Sequence, residues 1–216
     1  MQKIIATHRS CWSDRQFVSS IIIGILFFAV SLFVNHAAGI YATHKAGNNV
    51  EDLLLDRLPV VNVDFMFNQG AIALWIFTLG LLVIEPRRIP FLLKATALFI
   101  IIRSGFVTLT HLGPSPERAI INPNDFVEKF TYGGDLFFSG HTGLPFLVAL
   151  IFWRHKILRI IFLAASVVFG VSVLLGHLHY SIDVFAAFFI TYGIFEVAKR
   201  FFAKDYHLLI AGTLSQ

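Results

Sequence analysis

Residues Phe17 to Val34 read FVSSIIIGILFFAVSLFV, eighteen consecutive positions without a charged side chain. A helix of this length is about 27 Å long, which is close to the thickness of the hydrocarbon core of a bilayer. The run also exceeds the apolar region of an ordinary signal peptide, so we expect it to be retained rather than cleaved. This stretch predicts a membrane-spanning helix and, with it, an integral membrane protein.

Five further apolar stretches follow, and each has nearly the length of a bilayer crossing or more. The six predicted spans are residues 17–37, 67–84, 91–112, 136–153, 157–178 and 182–202. The composition agrees, because 56% of the 216 residues are hydrophobic and only 14% are charged. We therefore predict an all-α polytopic membrane protein, in which residues 1–216 form a single domain of six transmembrane helices.

Lysines and arginines are unevenly divided between the two sets of connections. If the first span runs outward, twelve lie on one side: Lys3, Arg9, Arg15, Arg87, Arg88, Lys94, Arg154, Lys156, Arg159, Lys199, Arg200 and Lys204. Four lie on the other side: Lys45, Arg57, Arg118 and Lys129. Because cytoplasmic loops are enriched in cations, we expect both termini in the cytoplasm. The net charge of +4 then suits an anionic inner leaflet, and no nucleic-acid partner is expected.

The outward start of the fourth span carries the sequence GGDLFFSGHT, residues 133–142. Ser139 has the side chain of a helix N-cap, and Gly140 permits close approach of a ligand to the backbone. The free N–H groups of a helix start favour anions, phosphate in particular. His141 beside them can donate a proton near neutral pH. The pattern indicates a phosphate site, with an interfacial structural histidine as the alternative.

A second polar cluster, HLHYSID at residues 177–183, bridges the fifth and sixth spans on the same predicted side. His179 and Asp183 are four residues apart, so a continuous helix places them on one face. A carboxylate that accepts one imidazole N–H leaves the other ring nitrogen as a nucleophile or base. The alternative is that Asp183 caps the helix and His179 is interfacial. His177 is expected to be structural.

Arg103 interrupts the apolar run FIIIRSGF of the third span, at residues 99–106. We expect it in the outer half of that span, because the span enters from the arginine pair at positions 87 and 88. A charge at that depth is costly and requires a partner or an aqueous cavity.

These motifs together resemble a known family. The pattern Gly134-Asp135-x3-Ser139-Gly140-His141-Thr142, followed by His177-x-His179-Tyr180-Ser181-Ile182-Asp183-Val184, is similar to the paired signature of the sphingomyelin synthase branch of the type-2 phosphatidic acid phosphatase superfamily. The resemblance extends from about residue 56 to residue 200. Two features of the wider superfamily are absent: a Lys-x6-Arg-Pro motif, and an arginine six residues before the last histidine, where Val173 stands.

The resemblance implies a mechanism through a phosphohistidine, without cofactor or metal. His179, oriented by Asp183, would attack the phosphorus of a membrane phospholipid, and His141 would protonate the leaving alcohol. The acceptor would be a lipid alcohol of the diacylglycerol or ceramide type. The residues expected to bind substrate are Arg103, Asp135, Ser139, Gly140, Thr142 and Tyr180. A compact bacterial relative in the plasma membrane, with its site on the exoplasmic side, is implied as well, and homo-oligomerisation stays open.

Three other functions compete with phosphotransfer. A lipid phosphate phosphatase would use the same residues with water as the acceptor. A metal-dependent hydrolase would use His141, His177, His179 and Asp183 as ligands, although this set lacks further acidic ligands. A lipid transporter or scramblase would carry its polar residues near the bilayer midplane, whereas here they gather near one predicted surface.

Overall fold

The computed structural model describes residues 2–121 and 133–213, with side chains placed between residues 4 and 211 of those ranges. The helices are α1 (Gln2–Ser13), α2 (Arg15–Lys45), α3 (Ala71–Ile84), α4 (Ile89–Leu109), α5 (Gly140–Ile151), α6 (Lys156–Leu175), α7 (Ser181–Phe201) and α8 (Ala203–Thr213). A π-helical turn, Met66–Gly70, leads into α3. No strand occurs in the described part of the chain, which confirms the predicted all-α class. The predicted outward cation Lys129 lies outside the described residues.

Five of the predicted spans coincide with helices that are long and apolar enough to cross a membrane. They are Arg15–Lys45, Met66–Ile84, Pro86–Leu109, Lys156–Leu175 and Ser181–Phe201. These helices expose large apolar side chains, such as Phe33 at 74% and Phe189 at 79%. Lipid is the solvent that suits such a surface, and these helices fit an integral membrane protein. The cytoplasmic location of both termini stays a prediction.

The fourth predicted span, residues 136–153, is wrong in its extent. Helix α5 has only 12 residues and is about 18 Å long, shorter than the hydrocarbon core. The residues before it are not helical, because Arg103 donates hydrogen bonds to the backbone carbonyls of Asp135 (2.5 Å) and Phe138 (2.7 Å). Helix α5 therefore begins only after its N-cap, Ser139.

Protein surrounds this short helix on several sides. It packs against α4, α6 and α7, and its residues Leu147 and Ala149 are completely buried. Phe138, which precedes it, is also completely buried and meets the ring of Phe99 edge-on, with centroids 5.3 Å apart. Non-helical backbone is tolerated at membrane depth where protein rather than lipid encloses it. Because α4, α6 and α7 enclose α5 and the residues before it, this part of the chain does not require a full-length spanning helix.

The end of the bundle opposite the two histidine clusters is held by buried charges. Arg88 is only 1% exposed and donates hydrogen bonds to Glu85 (2.5 Å), to the carbonyl of Ile151 (2.8 Å) and to His155 (2.6 Å). These contacts tie the α3–α4 connection to the α5–α6 connection. The sequence counted Arg88 among the cations of the predicted cytoplasmic side, and the structure shows that its side chain is buried.

Lys94 forms a second buried network at this end. Its ammonium group donates to the carboxylate of Asp205 (2.6 Å) and to the hydroxyl of Ser20 (2.7 Å), and that hydroxyl donates to the other oxygen of Asp205 (2.5 Å). The three residues belong to α4, α8 and α2. The network thus fixes α8 against the bundle, far from the histidines.

Candidate active site

The starts of α5 and α7 lie side by side at one end of the bundle. The N–H of Ser139 donates to the backbone carbonyl of Asp183 at 3.0 Å, which joins the two helix starts directly. His141 is close enough to both His179 and Arg103 to interact with them electrostatically. The structure thus brings together five residues that the sequence placed in one site, although they come from three separate helices and their flanking turns.

His179 lies two residues before Ser181, where α7 starts, so the pair is not on one continuous helix as predicted, and the two side chains face each other across the start of α7. Nδ1 of His179 lies 3.5 Å from Oδ2 of Asp183, which is longer than a hydrogen bond, as is common in catalytic pairs before substrate binds. The same Oδ2 accepts the N–H of Tyr180 at 2.9 Å. Asp183 therefore caps α7 and faces the imidazole at once, so the two interpretations of this residue are compatible.

This pair is buried and incompletely satisfied. Asp183 is completely buried and His179 is 7% exposed. Among the described residues, neither His179 Nδ1 nor Asp183 Oδ1 has a hydrogen-bond partner. Buried polar atoms without partners are uncommon, and each one requires a physical explanation. The pair therefore has hydrogen-bonding capacity that the described residues do not use.

His141 is held by the π-helical turn that precedes α3. Its Nε2–H donates to the carbonyl of Phe67 at 3.3 Å, and its ring stacks on the ring of Phe67 with centroids 3.9 Å apart. In the neutral ring this contact places the proton on Nε2 and leaves Nδ1 as an acceptor. π-helical turns occur frequently at functional sites. Phe67 carried no signal in the sequence, because an apolar residue at the start of a span predicts only lipid contact.

Arg103 donates its hydrogen bonds to the segment before α5. It is 8% exposed, and its Nη1 lies 3.2 Å from Oδ2 of Asp135. With the bonds to the carbonyls of Asp135 and Phe138, three of the five N–H donors of the guanidinium are used by this segment. Asp135, a predicted substrate ligand without an evident role, is therefore the ion-pair partner that Arg103 requires. The predicted contact of Arg103 with substrate stays a prediction.

Ser139 caps α5 as predicted. Its hydroxyl oxygen accepts the N–H of Thr142 at 3.4 Å and the hydroxyl of Thr142 at 3.2 Å. Both side chains are completely buried, and the hydroxyl of Ser166 donates to the carbonyl of Thr142 at 2.7 Å. Gly140 follows the cap, and a Cβ there would lie 3.6 Å from Nε of Arg103. These contacts fix the helix start, while substrate binding by the three residues stays a prediction.

Comparison with known proteins gives a family match over the region that contains both histidine clusters. Residues 133–200 match the family described as PAP2 superfamily C-terminal. This PAP2 segment is about a third of the chain and contains α5, α6 and α7 with both histidine clusters. The match supports a relation of this segment to the type-2 phosphatidic acid phosphatase superfamily, whose members are phosphatases and phosphotransferases. Neither a curated protein nor a solved structure matches the chain.

Within the PAP2 segment, Tyr180 ties the active-site end to two loops. Its hydroxyl donates to the carbonyl of Gly113 at 2.7 Å and accepts the N–H of Val50 at 3.3 Å. Burial raises the pKa of this hydroxyl, the bond from Val50 opposes that effect, and the carboxylates of Asp183 and Asp52 add to it, so the pKa lies above its usual value. A neutral hydroxyl bound to two backbone groups anchors loops, and substrate binding by Tyr180 stays a prediction.

His177 of the PAP2 segment contacts the backbone of the α2–α3 connection. Its Nε2–H donates to the carbonyl of Leu58 at 3.1 Å, and its backbone has a φ of 51°, in the left-handed region where helices often end. Within residues 2–121 and 133–213, no group of three or more His, Cys, Asp or Glu side chains is arranged to hold a metal ion. The residues of the metal-hydrolase alternative therefore do not form a ligand set in these ranges.

A segment outside the PAP2 segment also reaches this end of the bundle, and the sequence did not predict its contacts with the start of α7. Residues 46–65, here called the first loop, cross the active-site end and contact the α6–α7 connection repeatedly. The N–H of Val61 donates to the carbonyl of Leu175 at 2.8 Å. Asp52 accepts the N–H of Ser181, the first residue of α7, at 2.7 Å. An aspartate such as Asp52 indicates a local turn, because its side chain can accept the N–H groups two and three residues later. The sequence has no pattern that predicts its contact with the distant helix α7.

Proposed function

We propose that this protein is an integral membrane phosphotransferase that moves a phosphorylated head group from a phospholipid to a lipid alcohol of the diacylglycerol or ceramide type. The observation that carries the proposal is the buried, incompletely satisfied pair of His179 and Asp183 beside His141, at one end of a bundle of apolar helices. Lipid substrates reach such a site laterally from the bilayer. The PAP2 match supports this class of chemistry.

The first half-reaction would form a phosphohistidine. Nε2 of His179 attacks the phosphorus, the bond from phosphorus to the oxygen of the leaving lipid alcohol breaks, and protonated His141 gives its proton to that oxygen. Asp183 stabilises the positive charge that develops on the ring of His179.

The second half-reaction would reverse these roles. Neutral His141 accepts the proton of the incoming hydroxyl, whose oxygen attacks the phosphorus, and the bond from phosphorus to Nε2 of His179 breaks. This step restores the protonated His141 and the free His179, so no cofactor is required. The head group now belongs to the acceptor lipid.

Phosphoryl charge would be balanced by groups at the start of α5. The N–H groups of a first helical turn have no acceptor within the helix, so those of Gly140 and His141 suit phosphoryl oxygens. The N–H donors of Arg103 that the segment before α5 does not use would supply further hydrogen bonds to these oxygens. Preorganised donors of this kind usually supply the largest part of transition-state stabilisation.

A lipid phosphate phosphatase is the second candidate, and the PAP2 match favours it equally. Water would then replace the lipid alcohol in the second half-reaction. We propose the exoplasmic side of a bacterial plasma membrane for either activity, because the cation-poor loops lie at the histidine end of the bundle.

An acceptor-dependence assay distinguishes the two activities. Purified protein is incubated with a phospholipid labelled in its head group, with and without diacylglycerol or ceramide. We expect a new labelled lipid that forms only when acceptor is present. Release of labelled phosphate or phospho-alcohol alone would show hydrolysis and contradict transfer. An unchanged substrate in every mixture would contradict both activities.

A further inference from the structure

The first loop is attached to the turn that carries the nucleophile at three separate points. The carbonyl of Leu58 accepts from His177, the N–H of Val61 donates to Leu175, and Asp52 accepts from Ser181. The loop is far from this turn in the sequence, so these contacts are tertiary. They fix the loop against the chain on both sides of His179.

Asp52 makes the contact that is nearest to the catalytic pair. It is 8% exposed, and its Oδ2 accepts the N–H of Ser181 at 2.7 Å. Its Oδ1 accepts the N–H groups of Leu54 and Leu55 at 2.9 and 3.1 Å, which fixes the carboxylate within its own loop. The residue therefore links a rigid local turn to the first N–H of α7.

The carboxylate of Asp52 stays ionised at neutral pH. Burial raises its pKa, but hydrogen bonds from the backbone N–H groups of Leu55, Ser181 and Leu54 together outweigh this effect, so the pKa lies below its ordinary value of 3.8. A negative charge at a helix N-terminus is stabilised by the free N–H groups and by the helix dipole. The charge thus strengthens the attachment of the loop to α7.

The position of Ser181 explains why this attachment matters. Ser181 follows His179 by two residues and precedes Asp183 by two, so its backbone lies between the members of the pair. Asp183 already caps the same helix start through the N–H of Tyr180. Without Asp52, Asp183 would be the carboxylate left to hold this turn while it also orients the imidazole.

We propose that Asp52 is a positioning residue: it holds the start of α7 so that His179 and Asp183 keep facing each other. Its catalytic consequence rests on the proposed function, whereas the hold on α7 does not. A displaced nucleophile loses rate rather than substrate affinity, since the lipid is bound by other groups. Misplacement of reacting groups by about 1 Å costs on the order of 100-fold in rate.

Asp52→Ala tests the proposal, with Asp52→Asn as the conservative variant and Glu51→Gln as the matched control. Glu51 is the exposed neighbour in the same loop, so its substitution removes the same charge without the contact to α7. We expect Asp52→Ala to lower kcat by about 10- to 100-fold with KM unchanged within about twofold. Asp52→Asn keeps one acceptor oxygen and should recover much of kcat, while Glu51→Gln should equal the wild type.

Hydrogen exchange of the Ser181 amide supplies a readout independent of activity. We expect faster exchange in Asp52→Ala than in the wild type and in Glu51→Gln. Unchanged exchange would overturn the proposal, and so would faster exchange with an unchanged kcat. If Asp52→Ala does not fold, the same comparisons apply to Asp52→Leu, which also removes both acceptor oxygens. If wild-type protein acts on no lipid, the proposed function fails, and the exchange rate alone decides whether Asp52 holds α7.

Discussion

Replacement of His179 by alanine is expected to abolish both phospholipid turnover and transfer, by roughly 10⁴-fold or more, the scale seen when a covalent nucleophile is removed. The physical reason is that His179 lies next to the carboxylate of Asp183 and supplies the nitrogen that is proposed to attack phosphorus. The initial rate of the purified variant, measured with head-group-labelled lipid, gives the result. His44→Ala is the matched control, because His44 is exposed in the last turn of α2.

The control should keep the wild-type rate, and the unfolding midpoint of His179→Ala should stay close to that of the wild type. A His179→Ala variant that turns over lipid at the wild-type rate would show that the nucleophile is elsewhere. That result would remove the basis of the proposed mechanism.

Replacement of Arg103 by alanine is expected to lower the free energy of unfolding by about 3 to 5 kcal/mol, the cost of breaking a buried ion pair on one side. The variant removes the cation that lies 3.2 Å from the buried carboxylate of Asp135, together with hydrogen bonds to two backbone carbonyls. Unfolding of the purified protein in detergent, followed by denaturant or temperature, measures the change.

A double variant separates charge from packing at this position. Asp135→Ala in the Arg103→Ala background removes the carboxylate that has lost its contact with Arg103, so the combined loss of stability should be smaller than the sum of the two single losses. Arg118→Ala, at an exposed arginine, should be near neutral. A single Arg103→Ala variant as stable as the wild type would contradict the ion pair as the support of the segment before α5.

The apolar spans could be predicted because composition and length decide them. The extent of α5 could not, since its start is set by Arg103, which lies 35 residues from Phe138 in the sequence. An apolar run predicts a helix until a side chain from another element satisfies the backbone instead. Lys94 and Asp205 are likewise 111 residues apart, and their ion pair has no local pattern.

The candidate site divides in the same way. His179 and Asp183 could be paired from the sequence because a separation of four residues is a local geometry, and the cap Ser139 could be recognised for the same reason. Asp52 and Phe67 could not, because both act on segments more than 70 residues away. Local chemistry was therefore visible in the sequence, whereas the groups that hold it required the fold.

A search for the covalent intermediate tests the central claim most directly. Wild-type protein is mixed with head-group-labelled phospholipid without acceptor, quenched in alkali after a short time, digested and examined by mass spectrometry. The proposed mechanism predicts an acid-labile phosphoryl adduct on His179 that disappears when diacylglycerol or ceramide is added before the quench. Turnover of the lipid with the label on His141, or with no labelled histidine, would contradict it.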